Sequence, residues 1–114
     1  MIEALVVTSS ETVGRGLQRL LESDGDIEVV ATLATVDALD GALAHHAQAA
    51  VVLGPGARPS TDQWQRIIRR NGSSRAIVLA AVPGRHRHPR GVVEVPMELS
   101  GDGLRQAVRT CASR

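Results

Sequence analysis

The side chains of this chain best suited to chemistry gather in one loop. Between Gly84 and Arg90, Arg85, Arg87 and Arg90 alternate with His86 and His88, offering charged donors to an anion, a nucleic-acid phosphate or an acidic partner. A metal fits less well, because two loop histidines without a carboxylate or thiolate companion make a poor site. A solvated arginine-rich loop is the stronger reading of the same residues. His45 and His46 fall at the end of a predicted helix, where a histidine interacts favourably with the helix C-terminus. The loop Gly54-Pro55-Gly56-Ala57-Arg58-Pro59 invites a phosphate-binding reading. It lacks the spacing of the nucleotide fingerprints, and its prolines have no N–H to donate. Ser9 and Ser10 have no histidine predicted near them, and Cys111 falls on the inward face of the last helix, as core packing. These residues assemble no catalytic set, cofactor site or metal site, and the expectation is a protein that is not an enzyme.

The most apolar runs end without a carboxylate. Ala4–Val7 runs into Thr8 and Ser9, Ala50–Leu53 into Gly54, and Ala76–Leu79 into Ala80 and Ala81. In α/β sheets the carboxyl ends of the strands are where ligands and chemistry gather. Here those ends carry small, uncharged groups. All 13 basic residues are arginine, for which a GC-rich coding sequence is the simplest account.

Composition narrows the classes. One domain of 114 residues has chain enough for a single core. A net charge of +1 gives no electrostatic case for wrapping DNA or coating an anionic membrane. One cysteine cannot form an internal disulfide, and no run approaches the ~20 apolar residues of a membrane span. A cytoplasmic location follows as the expectation. Trp64 is the sole aromatic residue, so the core must be built from Val, Leu, Ile and Ala, which suits parallel strands buried on both faces.

The elements that position these residues alternate regularly. Apolar runs at Ile2–Val7, Ile27–Ala31, Ala50–Leu53, Ala76–Val82 and Gly91–Val95 read as strands. Between them, Ser9 or Ser10 caps a helix carrying Val13, Leu17, Leu20 and Leu21 on one face. Thr35 caps a second with Leu39, Ala42 and Leu43, and Ser60 or Thr61 a third with Trp64, Ile67 and Ile68. Ser100 opens a last helix with Leu104, Ala107, Val108 and Cys111 inward. Strands alternating with helices of this length predict a parallel sheet with helices on both faces.

Ile2–Val7, Gly16-Leu17-Gln18-Arg19-Leu20-Leu21-Glu22 and Asp26-Ile27-Glu28-Val29-Val30 resemble the opening of a CheY-like receiver domain of the NarL/FixJ branch of bacterial response regulators. The likeness extends through Ala50–Leu53 and Ala76–Leu79 to Ser100–Val108. It implies a flavodoxin/CheY-like, doubly wound α/β fold: a five-stranded parallel sheet in order 2-1-3-4-5. Residues 1–112 would form the receiver-like domain, with 113–114 beginning a linker.

Carried over position by position, the resemblance implies a degenerate phosphorylation site. The family's metal-holding acidic pair falls on Thr8 and Ser9, its phosphoacceptor aspartate on Gly54, and its Ser/Thr sensor on Ala80. Its lysine falls on Met97, or on Val95 if Pro96 sets the register. Two hydroxyls and a glycine do not supply the oxygens a hard divalent cation needs, and Gly54 offers no oxygen nucleophile for phosphoryl transfer. Glu11 reads as a first-turn glutamate facing the helix dipole. Between Ala80 and Met97 the interval is short and holds Pro83 and Pro89, so the helix that the family places there should be short or missing.

The function expected is therefore a phosphorylation-independent receiver-like regulatory domain acting by protein contact or as a homodimer. In that branch it would be the N-terminal part of a transcription factor, contacting DNA only through a domain outside this chain. The alternatives are the atypical receiver of a pilus-assembly or localisation ATPase and a stand-alone adaptor. Arg15, Arg19, Arg105 and Arg109 would edge a docking face on the first and last helices.

Overall fold

The computed structural model describes residues 1–71, 75–80, 84, 87–96 and 101–112. Its elements run β1 (Ile2–Val7), α1 (Glu11–Glu22), β2 (Ile27–Leu33), α2 (Asp37–His45), β3 (Ala50–Leu53), α3 (Thr61–Asn71), β4 (Ala76–Ala80), β5 (Val93–Pro96) and α4 (Gly101–Ala112). The five strands form one parallel sheet in the order β2-β1-β3-β4-β5.

Strand alternation divides the core into two layers. Ala4 and Val6 of β1 join Val52, Ile77, Leu21 and the α4 residues Leu104, Val108 and Cys111 on one face. Leu5 and Val7 join Val51, Leu53, Leu39, Leu43, Trp64 and Ile67 on the other. β3 and the Ala4–Val7 part of β1 are fully buried, which is why both read as unbroken aliphatic runs. Cys111 is fully buried.

Local signals explain most boundaries. Ser10 caps α1, its Oγ accepting from Val13 N–H at 3.3 Å. Ser60 and Gln63 form a reciprocal box at the start of α3, with Ser60 Oγ accepting from Gln63 N–H and Gln63 Oε1 accepting from Ser60 N–H. Thr35 Oγ1 accepts from Ala38 N–H at 3.4 Å, although Val36 occupies the cap position of α2. Three boundaries differ from expectation, the end of β2 and both ends of β5, which reaches Pro96 rather than Val95. β2 extends to Leu33, where Leu33 C=O accepts from Thr8 N–H. β5 begins at Val93 rather than Gly91, because Gly91 has a φ of 93° that no strand residue adopts. β4 ends at Ala80 within the described residues; Ala81 and Val82, like Ser100, lie outside them.

Among the described residues no helix lies between β4 and β5, as the two prolines predict. Nor, among them, is any helix long and apolar enough to cross a membrane.

Candidate functional site

At the carboxyl end of the sheet, β1 and β3 close against each other. Thr8 is 4% exposed. Its N–H donates to Leu33 C=O at 2.9 Å and its Oγ1 accepts from Ser10 N–H at 3.2 Å. Gly54 N–H donates to Val7 C=O at 2.7 Å, and Gly54 C=O accepts from Ala57 N–H at 3.1 Å. A Cβ on Gly54 would stand 3.0 Å from both Val7 O and Thr8 Cβ. The φ of Gly54 is not in the left-handed region, so it is crowding that disfavours a side chain there. Thr8 also helps close the approach of α1, since a Cβ on Gly14 would lie 3.3 Å from its Cγ2.

The remaining positions of this end carry no compensating chemistry. Ser9 is exposed, and Ala80 is half-buried beside Pro96 on the neighbouring strand. Met97 lies outside the described residues. Glu11 turns to solvent and pairs with Arg15 at 2.6 Å. Among the described residues, no three His, Cys, Asp or Glu side chains converge as a metal site would require.

A cleft of about 330 Å³ opens beside this end. The loop Gly54–Pro59, Trp64 of α3, which is 8% exposed, and Val78 and Ala80 of β4 line it. Opposite stand Arg87, His88 and Glu94. His88 Nε2 lies 2.8 Å from Glu94 Oε2, with the two side chains 16% and 19% exposed. Gly84 N–H donates to the other oxygen of Glu94 at 2.5 Å. The His88 ring meets Trp64 edge-on, with centroids 6.3 Å apart. Arg87 and Arg90 are exposed, whereas Arg85 and His86 lie outside the described residues. The sequence signal for this arrangement was Glu94 itself, a carboxylate inside the apolar run Val92–Val95.

The four helix arginines separate into two pairs. Arg15 and Arg19 are exposed on α1. Arg105 and Arg109, one helical turn apart on α4, are instead tied to the α1–β2 turn. Arg105 Nη1 donates to Leu20 C=O at 2.8 Å and to Ser23 Oγ at 2.7 Å, and another nitrogen pairs with Asp102. Its Nε sits 3.1 Å from Asp24 Oδ2, off the hydrogen-bond axis. Arg109 holds Asp24 at 2.8 Å and Asp26 at 2.5 Å. Hydrogen bonding from Arg109 lowers the Asp26 pKa from its usual 3.8, against desolvation that raises it, and Asp26 in turn raises that of Arg109. The Arg105 side chain is only 11% exposed, which corrects the expectation of an outward residue on a docking face. The Asp24-Gly25-Asp26 turn supplied the missing partner. His46 Nδ1 lies 3.5 Å from Glu3 Oε1, and its backbone N–H closes the end of α2 on Ala42 C=O, while His45 is exposed.

No family model and no curated protein matches the chain. Solved structures do match over nearly its whole length. The pilus assembly protein CpaE of Burkholderia thailandensis superposes with a TM-score of 0.75 at 16% identity, covering 100% of each chain. The receiver domain of the response regulator NarL from Mycobacterium tuberculosis gives 0.74 at 16%, covering 98% of this chain and 96% of that one. A pilus assembly-related protein of Burkholderia pseudomallei also gives 0.74 at 16%, covering 99% and 90%. The fold is that of a CheY-like receiver domain. At such identities the likeness is one of architecture, and the receiver fold here carries four helices among its described residues.

Proposed function

We propose that this chain is a receiver-like regulatory domain that works without phosphorylation, in the cytoplasm, through contact with a protein partner or a second copy. One observation carries the reading: the place where the receiver resemblance puts the phosphoacceptor is Gly54, packed so closely that a Cβ would stand 3.0 Å from both Val7 O and Thr8 Cβ. Phosphoryl transfer needs a nucleophilic oxygen at that place and cations to neutralise the developing charge; Gly54 offers no such oxygen, and Thr8, Ser9 and Ala80 bring no carboxylate to hold a metal ion. By the same argument the domain is not an enzyme and holds no cofactor or metal.

The likeness to the NarL receiver supports a role as the regulatory part of a transcription factor, with DNA contacted by another domain. The equally full superposition on two pilus-assembly proteins supports the second reading, a domain that positions assembly machinery. Of the helix arginines, Arg15 and Arg19 remain available to a partner, whereas Arg105 and Arg109 hold the domain together.

Incubation with acetyl phosphate and Mg²⁺, followed by intact mass measurement, tests the central claim. The expected spectrum is that of the unmodified chain. A phosphoryl adduct stable in neutral buffer would overturn the reading.

A further inference from the structure

The cleft beside β4 has two features that the regulatory reading does not use. Part of its lining is apolar, supplied by Trp64 and Val78. Its rim carries Arg58 and Arg87, both exposed and neither ion-paired among the described residues. The one carboxylate in the lining, Glu94, is already held by His88 and by Gly84 N–H. Inside the cleft, therefore, the uncompensated charge is positive. A concave site with low-dielectric walls focuses such a field on an entering anion. At about 330 Å³ it falls in the size range of small-molecule sites, apolar in body with a few placed polar groups.

We propose that this cleft binds a small organic anion: a flat apolar body lying against Trp64, with a carboxylate or phosphate held by Arg58 and Arg87. Guanidinium groups suit either head, because their paired N–H donors match two oxygens of a carboxylate or phosphate. The proposal does not rest on the absence of phosphorylation, since binding is read directly at Trp64.

Trp64 is the only aromatic residue in the chain, so one indole N–H resonance in a ¹H–¹⁵N spectrum reports on the cleft. Benzoate and phenyl phosphate serve as probes with both body and charge. Acetate and inorganic phosphate carry charge alone, and benzyl alcohol the body alone. Benzoate or phenyl phosphate should shift the Trp64 indole signal saturably, with a Kd on the order of 1 mM as expected for so small a ligand. The single-feature probes should bind about tenfold more weakly or worse. Replacing both rim residues, Arg58→Gln with Arg87→Gln, should weaken the better probe at least about tenfold by removing two charge-assisted contacts. Arg19→Gln, on exposed α1, should leave it unchanged. Both sets of substitutions are at exposed positions, and the dispersion of the same spectrum verifies folding. No saturable shift with either benzoate or phenyl phosphate up to about 20 mM would overturn the proposal. So would binding that survives the double substitution, or inorganic phosphate binding as tightly as phenyl phosphate.

Discussion

Placing a side chain on Gly54 should cost stability in proportion to how firmly β1 and β3 are held. In Gly54→Ala the new Cβ meets Val7 O and Thr8 Cβ at 3.0 Å, where ordinary contacts begin several tenths of an ångström farther out. Neither neighbour can give way cheaply. Val7 O accepts the Gly54 N–H at 2.7 Å, and Val7 is fully buried in the centre of the sheet. Overpacking of this kind costs about 1–3 kcal/mol. Alanine recovers about 0.4–1 kcal/mol by restricting the unfolded chain, leaving a net loss of about 1–2 kcal/mol. For a domain of this length that lowers Tm by about 4–8 °C. Gly54→Asp adds a larger, charged side chain at the same buried and crowded position, and the loss rises to about 3 kcal/mol or more. Urea unfolding at neutral pH measures both. Thr8→Gly removes one of the two crowded atoms but not Val7 O, so the double variant Thr8→Gly/Gly54→Ala should recover part of the loss as a coupling term. If Gly54→Ala is as stable as the wild type, or more so, the closed strand ends are not a constraint. The argument against a phosphoacceptor at this place then loses its physical basis.

Two further predictions concern the α1–α4 seam. Arg105→Met keeps the buried stem but removes the donors to Leu20 C=O and Ser23 Oγ, and should cost about 2 kcal/mol in urea unfolding. An unchanged midpoint would mean that apolar packing alone holds the two helices. Asp26 titrates below its usual 3.8 because Arg109 donates to it, so its folded pKa is depressed. Its stabilisation is fully present above the unfolded value, near 3.8, and disappears as pH falls below that through the lower folded one. Asp26→Asn should flatten the loss of stability across that window. A slope equal to that of the wild type would assign the acid sensitivity to other carboxylates.

How far the sequence could be read depended on the range of the interaction. The strands were legible because β3, most of β4 and the Ala4–Val7 part of β1 are buried and so appear as unbroken Val, Leu, Ile and Ala runs. The start of α1 was legible because Ser10 caps through a residue three positions away. The start of β5 was not, since Val92 and Val93 look alike until the backbone shows Gly91 at a positive φ. Arg105 was misplaced outward because periodicity gives a helix face without saying what lies against it. Its partners at Leu20 and Ser23 are 85 and 82 residues distant. At the sheet's carboxyl end the residue types were readable, but the 3.0 Å closure of Gly54 on its neighbours is an interstrand distance. The cleft needed three separate segments to meet, and only Glu94 hinted at it.

The absence of a helix between β4 and β5 among the described residues follows from more than the prolines. Glu94 pairs across the strands with Val78, and both line the face on which a helix joining β4 to β5 would pack. An apolar helix laid there would bury the carboxylate without a partner, at a cost of several kcal/mol. The loop resolves this conflict locally. Gly84, at a φ of 81°, presents its N–H to one oxygen of Glu94, and His88 reaches the other. Prolines that disfavour the helix and a strand carboxylate that Gly84 and His88 contact thus point to the same conformation. That conformation leaves the Trp64 ring and Val78 lining an open cleft rather than sealed beneath a helix. The space where a receiver would carry its relay helix is, in this chain, held as a pocket.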